Sequence, residues 1–141
     1  MPIEETPAII WHVPEWFDVI HFAFCPTEDK WNQERERVLN VTHKDITDYP
    51  SNGALTTWWE EEGYVRCLVT MSDWHDDKMD FIVSALSHEA VHVASRLLDA
   101  MKEDKPGEEV FAYMISRIAM TLYQDFVRFR KPTLLVGNLA S

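Results

Sequence analysis

Between residues 78 and 103 the apolar side chains Met79, Ile82, Val83, Leu86, Ala90, Val93, Leu97 and Met101 recur at intervals of three and four. Only an α-helix gathers that spacing onto one face, and a face so apolar must be buried against another layer. The rest of the chain has to supply that layer. Residues 16–25 are rich in aromatic and β-branched types and stop at Pro26, which reads as a strand. Thr27, followed by Glu28 and Asp29, supplies an N-cap and an acidic first turn for a helix that runs to about Asn40. Residues 41–53 are turn-rich. Two strands, about 54–60 and 64–72, are joined by Glu61-Glu62-Gly63 as a hairpin whose three acidic residues, Glu60 to Glu62, read as a solvated tip. After the long helix, Pro106-Gly107 breaks the chain and a last helix runs from about 107 to 129, carrying Val110, Met114, Ile115, Ile118, Leu122 and Phe126; the tail past Pro132 has no assigned structure. Strand, helix, hairpin, helix, helix is the order of an α+β fold, a small sheet packed on the long helix and the helix that follows it.

With 141 residues, this organisation is one domain spanning 1–141, its core at about 16–129. The formal net charge is −11, and the only tight basic run is Arg128, Arg130 and Lys131. Nucleic-acid backbones and anionic membranes are therefore excluded as expected partners. The acidic N-terminal stretch lacks the character of a secretory signal, and no apolar run is long enough to span a bilayer. Cys25 and Cys67 have no local spacing motif and are expected to be small buried hydrophobes in a reducing cytoplasm.

The chemistry is concentrated in the long helix, at His88-Glu89-Ala90-Val91-His92, an H-E-x-x-H pattern. In a chain with six His, only about 0.02 accidental matches are expected from composition. Positions four apart share a helix face, so both imidazoles can reach one zinc ion, while Glu89 is placed as general base toward an attacking water. Ala90 and Val91 are small or β-branched and are expected to pack beneath. A third ligand is needed, and the next helix opens with Glu108-Glu109. Glu109 is the favoured ligand, with Glu108 as the alternative, because Glu109, Ala112, Tyr113 and Ser116 share a face. Both acids also suit a helix's first turn for their dipole alone. A His, His, Glu set is the gluzincin pattern; no His follows His92, which excludes the branch with a third His.

His88-Glu89-Ala90-Val91-His92, followed by Glu109-x-x-Ala112-Tyr113 and preceded by a strand ending in Ser72-Asp73-Trp74, resembles a family of small zincin-like, gluzincin-type metallopeptidases encoded by tailed bacteriophages and prophages. The resemblance covers about residues 54–126. It implies a minimal zincin-like fold, a phage origin and the roles of His88, His92 and Glu109 as metal ligands with Glu89 as base, but no substrate. Members often carry a second acidic residue just before Ala-Tyr, where this chain has Phe111.

Tyr113 is a candidate oxyanion donor as well as a core residue. The strand 64–72 is a candidate edge for pairing with an extended peptide, or an internal strand. His75, among Asp73, Asp76 and Asp77, reads as a second-layer or helix N-cap group. Trp58, Trp59 and Trp74 line a pocket or contact surface, or belong to the core. The expected function is a zinc-dependent hydrolase, a metallopeptidase acting on a peptide or protein in the host cytoplasm. The alternative is a catalytically silent phage protein, either a virion-associated assembly module or an acidic inhibitor of a host protein.

Overall fold

Among the described residues three strands, β1 (Ile20–Phe24), β2 (Ala54–Glu61) and β3 (Tyr64–Met71), form one sheet in the order β1-β3-β2. The computed structural model describes residues 8–14, 20–72, 78–102 and 107–140, with side chains as far as residue 129 in the last segment. Three helices among the described residues complete an α+β arrangement: α1 (Glu28–Thr42), α2 (Met79–Met101) and α3 (Glu108–Ala140). Among the described residues no helix is long and apolar enough to cross a membrane.

The pleat of the strands sorts their side chains into two cores. Ile20, Phe22 and Phe24 of β1 and Cys67, Val69 and Met71 of β3 point to one face. There they meet Ile82, Leu86, Ala90, Val93 and Leu97 of α2 and Met114, Ile118, Leu122 and Phe126 of α3. The alternate residues Ala23, Trp59 and Leu68 face α1 and join Trp31, Val38 and Ile46. The helix periodicity is thus realised in its central positions, whereas Met79, Val83 and Met101 of α2 and Val110 of α3 stand exposed.

Local signals account for the element ends. Thr27 accepts a hydrogen bond from the Lys30 amide at 3.2 Å and caps α1. The hairpin closes on two residues, Glu62 and Gly63, both with positive φ (52° and 88°). That pair twists as the strands do, so Glu61 pairs with Tyr64 rather than belonging to the turn. The helix α3 continues through Pro132 to Ala140, beyond the expected end: an interior proline removes one backbone donor, and the remaining hydrogen bonds carry the helix on. Residues 16–19 of the expected first strand lie outside the described residues. Residues 8–14 run beside β1, where His12 and Phe22 exchange two backbone hydrogen bonds of 2.8 and 3.0 Å. The His12 Nε2 lies 2.5 Å from Oδ2 of Asp125, a carboxylate buried on α3.

The acidic hairpin is only partly a solvated tip. Glu60 is exposed, but Glu61 is 7% exposed and faces α1, where Arg37 donates to both its oxygens at 3.1 and 2.8 Å. Trp59 Nε1 and the Tyr64 hydroxyl donate to the same carboxylate at 3.1 and 3.3 Å. The Arg37 hydrogen bonds, outweighing burial, hold the Glu61 carboxyl below its ordinary range. A carboxyl with a lowered folded-state pKa stabilises the fold at neutral pH and loses that contribution as pH falls through its folded value. Replacing Glu61 by Gln should cost about 2 kcal/mol at pH 7, since hydrogen bonds to a charged group contribute on that order and Arg37 is partly screened. The difference from the parent, read from urea unfolding, should shrink as pH drops below about 4. Burial pushes the thiols of Cys25 and Cys67 up to about 12. Both should resist an aromatic disulfide reagent at pH 8 in the native protein and react promptly in denaturant.

Candidate metal and hydrolytic site

The ridge of α2 at the boundary between its buried stripe and solvent carries His88, His92 and Arg96, each one turn beyond the last. His88 and His92 are exposed, Glu89 between them is 5% exposed, and Ala90 is fully buried. This follows from the helix itself. One step of about 100° per residue turns Glu89 toward the sheet when its neighbour His88 lies at the margin. Val91, expected to pack beneath, is instead 39% exposed, because the same rotation carries it to the solvent side.

The two imidazoles converge: their Nε2 atoms are 3.3 Å apart, with the rings at 69°. Two nitrogens bound to one tetrahedral ion at 2.0–2.1 Å lie about 3.3 Å apart, so this pair fits two positions of a zinc site. Glu89 turns toward β2, where Thr56 Oγ1 donates to its Oε1 at 2.8 Å. Ala54, Leu55, Thr56 and Trp58 of β2 face His88, Glu89, His92 and Arg96 across an open cleft of about 360 Å³.

Strand order decides which segment borders this cleft. The strand β3 is internal, paired on one side with β1 and on the other with β2, so the edge beside the histidines is β2 and not 64–72. The near-continuous apolar run of β3 was the signal of a strand covered on both faces. The adjacent tryptophans separate by the strand's two-residue period. Trp59 is fully buried against α1, while Trp58 is 38% exposed and lines the cleft. The sequence alone does not single out Thr56. Its role depends on the register between β2 and α2, for which no local pattern exists.

The structure does not bring the expected third ligand to the pair. Among the described residues no three His, Cys, Asp or Glu side chains gather as a metal-holding group. Glu108 and Glu109 are exposed in the first turn of α3, which packs on α2 and β1 rather than on the β2 flank. Height along the helix also separates them. His92 lies nine residues, about 13 Å, before the end of α2, whereas Glu109 is the second residue of α3, which begins seven residues after that end. Tyr113 is 58% exposed and does not line the cleft. His75, Trp74 and the acids around them lie outside the described residues.

Comparison with protein-family models, with curated proteins and with solved structures finds no match to this chain.

The Thr56–Glu89 bond gives a direct check of this geometry. Thr56→Val should cost about 1.5 kcal/mol by leaving a buried carboxylate oxygen without its donor. In a Glu89→Leu background the same change should be nearly neutral, as a double-mutant cycle in urea would record.

Proposed function

We propose that this protein is a zinc-dependent hydrolase of the peptidase type, with His88 and His92 holding the metal and Glu89 acting as general base. The observation that carries the reading is the convergence of the two Nε2 atoms to 3.3 Å beside a carboxylate that opens onto the same cleft. Zinc in such a position supplies Lewis acidity, making water a nucleophile at neutral pH and polarising a carbonyl. Thr56 fixes one oxygen of Glu89, which leaves the other to take a proton from the attacking water and return it to the departing amine. The edge of β2, open among the described residues, offers backbone groups to an extended peptide, holding its carbonyl over the histidine ridge. The resemblance to the zincin-like phage family supports the same roles and, with them, action in a host cytoplasm or a virion.

Two protein donors favour a second reading as well, in which the site holds metal without turnover and the domain serves as a binding or assembly module. The two part experimentally. Purified protein should bind zinc, retain it in Glu89→Gln and lose most of it in His88→Ala, as measured by metal analysis after dialysis. Loaded protein should cleave members of a peptide library that Glu89→Gln leaves intact. Zinc binding with no Glu89-dependent cleavage selects the binding module, and failure of the native protein to bind zinc refutes both.

A further inference from the structure

One turn beyond His92, Arg96 lines the same cleft and has no part in holding a metal or activating water. Its guanidinium carbon lies 5.1 Å from the centre of the Trp58 ring, and the Lys44 ammonium lies 4.8 Å from the same centre. Two cations therefore meet at one indole in a chain that carries 13 basic against 24 acidic residues. Contact with the aromatic face steadies the planar fork. The carboxylate beside Arg96 is Asp99, at 3.0 Å in an i,i+3 pair, and Asp99 is 66% exposed. Such an exposed pair is weak, and an incoming carboxylate can displace it.

We propose that Arg96, braced on Trp58, is a specificity-determining subsite for a peptide carboxylate. The planar guanidinium matches a carboxylate with two parallel hydrogen bonds, which a point charge does not do. Spacing sets where that carboxylate belongs. From His92 to Arg96 the helix rises about 6 Å, and an extended peptide advances about 3.3 Å per residue. The recognised group is therefore about two residues from the bond held over the histidines. Either the carboxylate of a chain end or an acidic side chain meets that description. The part of Trp58 left exposed, 38% of the residue, gives apolar cover to the residue that bears it. This inference rests on the peptidase reading for the identity of the ligand as a peptide, and its test is separable from that reading.

The test uses full-length Glu89→Gln, so that no probe is consumed, and follows tryptophan fluorescence during titration with three probes. These are N-acetyl-trialanine with a free carboxylate, its C-terminal amide, and an amidated twin with aspartate as third residue. The free acid should bind about tenfold or more tighter than the amide. The aspartate twin follows the acid if side-chain carboxylates are accepted, and follows the amide if only the chain end is read. Arg96→Gln should erase the preference, and Arg96→Lys should keep only part of it, because charge remains but the fork is lost. Equal binding of acid and amide, binding of none of the probes, or a preference that survives in folded Arg96→Gln overturns the subsite. Glu89-dependent cleavage without an acid preference leaves the hydrolase standing and removes the subsite. A preference for the acid in a protein that cleaves nothing keeps the subsite and removes the hydrolase.

Discussion

The seating of α2 on the sheet governs everything else in this molecule. Leu86, Ala90, Val93 and Leu97 are buried against Cys67, Val69 and Met71 of the central strand, and that contact fixes the rotation of the helix about its own axis. A rotation by one residue would turn Glu89 away from Thr56 and aim His88 into the core. Ala90 has a particular part in this, since it lies fully buried within the turn between the two histidines. A larger side chain there would push the helix off the sheet and separate the Glu89 carboxylate from its hydroxyl donor. The apolar stripe thus has two consequences at once: it supplies hydrophobic burial and it sets the direction of the polar ridge.

Elements with a strong period were legible in the sequence. The long helix, the hairpin and the Thr27 cap all follow from patterns within a few residues of one another, and the structure places them where those patterns put them, the hairpin with a turn one residue shorter than expected. The juxtaposition of His88 with His92 belongs to the same category, because four residues of helix determine it. What depends on tertiary register was not legible. Neither the Thr56 bond to Glu89 nor the pairing of His12 with Asp125, which are 113 residues apart, leaves a local trace. Glu61 departs from its sequence pattern for a related reason: a run of three acids looks like a solvated tip until the two-residue turn assigns its first two members to opposite faces of a strand.

Glu109 shows where a spacing argument stops. A carboxylate 17 residues after the second histidine and early in the next helix satisfies the sequence pattern, yet two helices joined by a short connection must also choose a flank. Here α3 lies toward β1, filling the core with Met114, Ile118, Leu122 and Phe126. The histidines lie toward β2, on the other flank. The apolar face of α3 decides its position, and the acids of its first turn are carried along with it.

Lys44 does more at Trp58 than add positive charge. Its ammonium donates to the Trp58 carbonyl at 2.9 Å, and that carbonyl belongs to the edge strand of the sheet. An edge with unsatisfied backbone groups invites the same edge of another molecule, the route by which sheets grow from chain to chain. A lysine placed on one of those acceptors, next to the exposed Glu60, interrupts the template partway along β2. Among the described residues the stretch left open is the Ala54–Thr56 end beside the histidines, so the same side chain that guards against self-association also confines any strand added there to a few residues.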